Sequence, residues 1–142
     1  MRHRLSRLGH AASRTAAPLG ALTGVGAAFA YVAAVDPGRP GHYPVCPFLS
    51  ALGLYCPACG GLRSAHAVAH GDLPAALGAN AAAVLLFAAF AAFWVHWFAA
   101  AVRGVGYTFP VRLTAWHGWV AGALLLAFTV VRNTPVGAAL AP

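Results

Sequence analysis

The chain contains three long apolar stretches, separated by segments that are rich in glycine, proline and charged residues. Each stretch approaches the roughly 20 residues that a helix needs to cross the hydrocarbon core of a bilayer. Because lipid offers no hydrogen-bond partners to the backbone, such stretches are expected to be helical. The pattern therefore predicts an all-α polytopic membrane protein with about three transmembrane helices, at residues 16–35, 81–102 and 113–131.

The first stretch has a second interpretation as a secretory signal peptide, since arginines precede it and the small residues Ala33 and Ala34 lie near its end. However, it is longer and more evenly apolar than the hydrophobic region of most signal peptides. Gly20, Gly24 and Ala28 recur every four positions, which suits close packing against another helix. We therefore favour a retained transmembrane helix.

Arginine is unevenly distributed around these stretches. Four arginines and no acidic residue precede the first stretch, whereas loop 36–80 is neutral, with two arginines and two aspartates. The second loop carries Arg103 and Arg112 without an acidic residue. The positive-inside rule then predicts that a basic arm (1–15) is cytoplasmic and that loop 36–80 and the C-terminus lie outside the plasma membrane. At this length, residues 16–142 are expected to form a single membrane domain.

Composition supports the membrane interpretation and argues against nucleic-acid binding. Of 142 residues, 61% are apolar and 8% are charged, against roughly 25% charged residues in typical soluble domains. The net charge is +7, but nucleic-acid binders cluster their basic residues on one face. Here the arginines flank the apolar stretches, where they set topology and meet anionic head groups. We expect the lipid bilayer as partner and no nucleic acid, with a homo-oligomer or larger membrane complex left open.

The first loop is predicted to contain two short helices at the membrane surface. Pro57 suits the first turn of a helix, where its missing N–H costs nothing. The run 62–70 contains no helix breaker, and Gly71 is placed to end it. Asp72 is a suitable cap for a second short helix over 73–78.

All three cysteines lie in this loop, and they are the main candidates for specific chemistry. Cys56 and Cys59 form a Cys-x-x-Cys pair, and Cys46 adds a third thiolate. A histidine, of which we favour His66 over His42 and His70, would complete a tetrahedral zinc site. Thiolates favour zinc or Cu(I) over hard cations. The predicted ligands are therefore Cys46, Cys56, Cys59 and His66, with zinc as the candidate cofactor.

Two other uses of the cysteines stay open. A disulfide between Cys46 and Cys56 would close a loop of about eleven residues and contribute roughly 3 kcal/mol on the chain-entropy model. A redox-active pair of Cys56 and Cys59 is typical of disulfide oxidoreductases, and an exterior loop tolerates oxidation. The sequence lacks the βαβ context of thioredoxin-like proteins and a second cysteine pair.

Arg63, His70 and Asp72 are the candidate contacts to an anionic ligand or lipid head group. On the predicted helix, Arg63 and His70 would share a face with Cys59 and His66, because their spacings are four, three and four. Arg63 would neutralise the thiolates, bind a head group or pair with Asp72. The alternative is an arginine that only extends to the interface.

The loop also carries a longer pattern: Cys46-Pro47, Gly53, Cys56-Pro57-Ala58-Cys59-Gly60, Arg63, His70-Gly71-Asp72 and Asn80. Over about residues 46–86 it resembles the bacterial membrane family catalogued as domain of unknown function 2752. The chain departs from that family at Leu62, where Thr is usual, and at Ala81, where Pro is usual. The resemblance implies a small multi-helix membrane protein and retains the three cysteines and Arg63, but it implies no activity.

These observations predict a non-enzymatic membrane module whose loop holds a structural or regulatory zinc ion, or which serves as an accessory subunit. The first alternative is a membrane thiol–disulfide oxidoreductase that uses Cys56 and Cys59. The second is a component of a small transporter, although the spans lack the acidic residues of a proton or cation relay.

Overall fold

The computed structural model describes residues 2–105, 107, 112 and 114–141, and it describes side chains from residue 13 onward. It is 75% helical, with no strand in the described residues, which confirms the predicted all-α fold. The helices are α1 (Arg2–Ala34), α2 (Pro47–Leu52), α3 (Gly61–Ala69), α4 (Leu73–Arg103) and α5 (Ala115–Arg132), followed by a 3₁₀ helix (Pro135–Leu140).

Three helical segments are long and apolar enough to cross a membrane: Ser13–Ala34, Leu73–Arg103 and Ala115–Arg132. This confirms the expected number of spans. Leu113, where the third span was predicted to begin, lies outside the described residues, as do Met1, Pro142 and part of the second loop. Helix α1 begins at Arg2, so the described part of the basic arm is helical and continuous with the first span.

The outer surfaces of these helices are strongly apolar. Leu85 is 69% exposed, Leu124 is 66% exposed and Trp119 is 80% exposed, although each lies within a span. Water would solvate such a continuous apolar surface poorly, whereas hydrocarbon solvates it well. The exposed apolar faces therefore indicate contact with the lipid bilayer.

The chain forms two compact units, and the first comprises Met1–Ala28 and Phe87–Arg112. Within it, the indole N–H of Trp94 donates to the carbonyl oxygen of Pro18 at 2.8 Å. The guanidinium of Arg14 donates to the carbonyl oxygen of Gly104 at 3.1 Å. The first bond connects α1 to α4, the second connects α1 to the residue that follows α4, and both give polar groups partners next to apolar spans.

The second unit comprises Phe29–Leu86 and Leu113–Pro142, and it contains the cysteine loop. Here the predicted start of the first short helix is wrong. Residues 57–60 form a turn, and α3 begins only at Gly61, because Gly60 adopts a left-handed conformation with φ of 80°. The predicted end is confirmed: α3 stops at Ala69, and Gly71 has φ of 77°.

Two further features of the loop refine the prediction. Helix α2 was not predicted from the sequence. Its signals were nevertheless present, since Pro47 lies in its first turn and Gly53 ends it with φ of 66°. The predicted cap at Asp72 is confirmed, since its Oδ1 accepts the N–H of Ala75 at 3.0 Å.

Helix α4 is interrupted at Asn80, which has the non-helical angles φ −166° and ψ 97°. The predicted short helix 73–78 and the predicted span 81–102 are thus two parts of one element. The buried hydroxyl of Ser64 on α3 lies within hydrogen-bond distance of the carbonyl oxygens of Ala76 and Asn80. A donor from α3 therefore supports the backbone at the interruption.

Candidate metal centre

The three cysteines come together at one point of the second unit. Their Sγ atoms all lie within 4.8 Å of one another, with Cys46–Cys56 at 3.5 Å and Cys56–Cys59 at 3.0 Å. Cys59 is buried, the other two are half-buried, and all three are free thiols. Sulfurs on one tetrahedral zinc ion, at about 2.3 Å from the metal, lie about 3.8 Å apart. The three thiols thus have nearly the spacing that a single metal ion requires.

Local backbone geometry brings these sulfurs together. Cys46 precedes α2, and its carbonyl accepts the N–H of Ser50. The Cys56–Cys59 turn is closed by the Cys59 N–H, which donates to the Cys56 carbonyl at 3.1 Å. The backbone N–H of Cys56 also points at the Cys59 sulfur, at 3.3 Å. The turn therefore presents two of the three sulfurs to the same space.

Arg132, the last residue of α5, contacts this turn. It is only 1% exposed, and its Nη1 and Nη2 donate to the carbonyl oxygens of Cys56 and Cys59 at 3.0 and 3.1 Å. The rings of Phe128 and Tyr55 flank the guanidinium, with centroids 4.9 and 5.8 Å from Cζ. A planar guanidinium offers its N–H groups in a fixed geometry, so Arg132 fixes the separation of these two carbonyls.

Two side-chain amides, the buried Asn80 and the half-buried Asn133, bond the backbone of the turn and of Tyr55 just before it. Asn80 Nδ2 donates to the carbonyl oxygens of Pro57 and Cys59 at 2.8 and 2.9 Å. Asn133 accepts the N–H of Tyr55 through Oδ1 and donates to the Tyr55 carbonyl through Nδ2, both at 2.9 Å. We call Asn80, Arg132 and Asn133 the carbonyl clamp.

The positive charge of Arg132 has no acidic partner in the described part of the chain. The sequence contains only two acidic residues. Asp36 pairs with Arg39 at 3.7 Å, and exposed Asp72 caps α4. Arg132 Nε is also buried without a hydrogen-bond partner. The groups near Arg132 that can carry negative charge are the thiols of Cys56 and Cys59, on the turn that it holds, and the phenol of Tyr55.

The three thiols are electrostatically unequal. The backbone N–H of Leu49, followed by hydrogen bonds with Cys59 and Cys56, lowers the pKa of Cys46 to about 7. Burial, followed by hydrogen bonds with Cys56 and Cys46, raises the pKa of Cys59 to about 12. Without a metal, Cys46 therefore ionises at lower pH than Cys59.

The two predicted histidines lie on or next to α3, and neither joins the group of three sulfurs. His66 Nδ1 is 2.8 Å from the carbonyl oxygen of Val32, and His70 Nδ1 is 2.8 Å from that of His66. Their rings are neighbours, with centroids 4.3 Å apart. Because a carbonyl only accepts, both Nδ1 atoms carry the proton in this arrangement.

Arg63 and Asp72, the other predicted contacts, are both exposed. No ion pair joins them in the described residues, where the ion pair found is that of Arg39 with Asp36. Arg63 instead borders a cavity of about 470 Å³, whose lining also includes Cys46, Cys59, Arg39 and Tyr43. Arg63 is thus the predicted ligand contact that shares a cavity with the thiols.

Most of the carbonyl clamp was not predicted from the sequence. Arg132 and Asn133 were not among the predicted site residues, and Asn80 was included only as part of the family pattern. A signal was nevertheless present: an ionisable residue at the end of an uncharged apolar helix is a functional candidate when it faces the protein interior. Its burial, and the role of Asn133, follow from contacts across 73 to 78 positions of sequence.

The fold and site together define a helical membrane protein with three candidate spans and a clamped group of thiols that could hold a metal ion. Residues 46–94 match the family model described as "Protein of unknown function (DUF2752)", which confirms the resemblance seen in the sequence. The matched segment contains the three cysteines, Arg63 and Asn80, but ends before Arg132 and Asn133. No curated protein and no solved structure matches the chain.

The carbonyl clamp makes a prediction about stability. Asn80→Ala removes the side-chain donor to the Pro57 carbonyl and should lower the free energy of unfolding by about 2 kcal/mol, the usual effect of leaving a buried polar group unsatisfied. Ser50→Ala is the control, because Ser50 is exposed and its hydroxyl donates only to the Pro47 carbonyl; it should change stability by less than about 0.5 kcal/mol. Denaturant unfolding in detergent micelles measures both, and equal effects would contradict the role of Asn80.

The unequal thiols make a prediction about pH. Because only the thiolate is nucleophilic, the alkylation rate of Cys46 in the reduced, metal-free protein should rise with pH. It should reach half its maximum near pH 7. Cys59 should stay almost unreactive there, since its pKa is raised to about 12. Iodoacetamide labelling, read by peptide mass spectrometry, tests this. Denatured protein is the control, in which both thiols should have a pKa of about 8.5. Faster labelling of Cys59 than of Cys46 in the folded protein would contradict the assignment.

Proposed function

We propose that this protein is a non-enzymatic membrane module in which Cys46, Cys56 and Cys59 bind one zinc ion that has a structural or regulatory role. The observation that carries this proposal is the group of three sulfurs within 4.8 Å, two of which lie on a turn that the buried Arg132 holds by two carbonyls. Thiolates are preferred ligands of zinc, which they bind in tetrahedral sites.

The charge of Arg132 supports a metal–thiolate centre over three neutral thiols. Burying a guanidinium without a counter-charge costs several kcal/mol, and neither aspartate forms an ion pair with Arg132, since Asp36 pairs with Arg39 and Asp72 caps α4. A zinc ion with three thiolates has a net charge of −1. Together with Arg132, such a centre would be neutral, so the proposed metal accounts for the buried cation.

A zinc ion would also supply stability that the loop lacks. The segment from Val35 to Gly60 is rich in glycine and proline, and its one described helix, α2, has no buried residue. Structural zinc contributes about 10 kcal/mol or more in zinc-finger peptides. By fixing the carbonyls of the turn, the clamp would hold the sulfurs of Cys56 and Cys59 close to their metal-bound positions before the metal binds.

The distribution of arginine supports a location for this module. We place it in a bacterial plasma membrane, with the N-terminus in the cytoplasm and the cysteine loop outside. There it would act as an accessory subunit of a larger membrane complex or of a homo-oligomer. The transporter hypothesis gains no support, since both aspartates of the sequence have local partners.

Metal analysis of the protein purified in detergent under reducing conditions tests the proposal. We expect about one zinc ion per chain, because three neighbouring thiolates provide most of a tetrahedral ligand set. Cys59→Ser should abolish binding, while Ser50→Ala, which alters an exposed hydroxyl on α2, should retain it. Metal-free protein after loading with zinc and removal of excess would contradict the proposal.

His66→Gln, measured beside these variants, decides the fourth ligand. Since His66 Nδ1 contacts the Val32 carbonyl and the group of sulfurs does not include this residue, we expect the variant to keep its zinc. Loss of zinc in folded His66→Gln protein would instead restore His66 to the ligand set predicted from the sequence.

A thiol–disulfide oxidoreductase is the second candidate, and the 3.0 Å separation of the Cys56 and Cys59 sulfurs favours it. Free-thiol counts with and without reductant distinguish the two functions. A readily reduced Cys56–Cys59 disulfide in metal-free protein would favour the oxidoreductase, whereas three thiols protected from alkylation by bound zinc would favour the metal module.

A further inference from the structure

The proposed zinc centre has three ligands from the protein and needs a fourth. In the described part of the chain, no further histidine, cysteine or carboxylate lies with the three sulfurs. Zinc sites with three protein ligands keep their fourth position for water or for a molecule from solution. The fourth ligand of this centre would therefore come from outside the chain.

A cavity gives such a ligand access to the thiols. It has a volume of about 470 Å³, and Cys46 and Cys59 both line it. This volume falls within the range of roughly 300–1,000 Å³ that is common for small-molecule sites, and it is far larger than one water molecule requires. Its size therefore suits a small organic molecule.

The charges around the cavity indicate which kind of molecule. Arg39 and Arg63 both line it, and no acidic residue does. Arg39 is paired with Asp36, whereas exposed Arg63 has no hydrogen-bond or ion-pair partner among the described residues. Arg63 is thus the cation of this cavity that is free to bind an anion.

We propose that a small organic anion, a thiolate in particular, enters this cavity and supplies the fourth ligand of the metal, with Arg63 as its counter-charge. The inference rests on the proposed zinc centre. Three thiolates and zinc have a net charge of −1, and a fourth anionic ligand makes it −2. Arg132, which is bonded to the turn, and Arg63, which lines the cavity, then balance this charge. A thiolate suits a metal that already has three sulfur ligands.

Cobalt spectroscopy tests this inference. Co²⁺ takes the place of zinc in the detergent-purified protein, with a phosphine reductant so that no other thiol is present, and its visible bands report the ligand set. Addition of 2-mercaptoethanol should change the spectrum in a saturable manner, as the thiolate replaces water. Arg63→Gln should weaken the apparent affinity for the thiol about tenfold, the effect of losing one charge-assisted interaction.

Arg39→Gln is the matched control, because Arg39 lines the same cavity but is already paired with Asp36. It should change the affinity less than about threefold, within the range of exposed ion pairs. Each variant is compared at equal cobalt loading. Equal losses in the two variants would overturn the role of Arg63.

The remaining outcomes separate this inference from the function on which it rests. If cobalt binds with sulfur ligation but added thiol leaves its spectrum unchanged, the open fourth position is refuted while the metal centre stands. If cobalt does not bind, both are refuted. The cobalt spectrum is also compared, without added thiol, in nanodiscs of anionic and of neutral lipid. A spectral change that occurs only in anionic lipid would refute a soluble ligand and assign the anion to a lipid head group.

Discussion

A buried guanidinium holds the backbone of the cysteine loop, and the remainder of the site depends on this contact. Arg132 donates to the carbonyls of Cys56 and Cys59, which lie 76 and 73 positions away in sequence. The end of the third span thereby fixes the turn that carries two of the three sulfurs. In this chain of few charges, the contact also places a positive charge near two thiols that can become negative. Backbone geometry and electrostatics are thus set by the same side chain.

The other members of the clamp show how the spans support the loop. Asn80 lies where α4 leaves helical geometry, and its amide reaches the same turn from a second span. Ser64, on α3, lies against the carbonyls at this interruption. In lipid, a backbone polar group that lacks a partner is costly, and both the interruption of α4 and the Cys56–Cys59 turn are matched by side-chain donors. Among the described residues the buried apolar side chains are few and mostly alanines, so polar contacts do much of the work of holding the turn.

The spans could be predicted from the sequence because the membrane imposes one requirement, a helix of about 20 apolar residues, that local composition satisfies. The grouping of the cysteines was also foreseeable, since Cys56 and Cys59 are three positions apart. Arg132 and Asn133 were not, because their role depends on a contact between distant segments. The helix expected to start at Pro57 was wrong for a local reason: Gly60 takes a left-handed conformation, and the helix begins after it.

We propose that the charge of Arg132 balances the negative charge of the three thiolates and their metal, so that they form one electrostatic unit. The most direct test is the zinc dissociation constant of Arg132→Gln, measured by chelator competition in protein whose helicity matches the wild type. Arg103→Gln serves as the control, since Arg103 is exposed and its Nε donates only to the Ala99 carbonyl. We predict that affinity falls at least about tenfold in Arg132→Gln, as expected for the loss of charge-assisted bonds, and is unchanged in Arg103→Gln. Zinc affinity equal to that of the wild type in folded Arg132→Gln would contradict the claim.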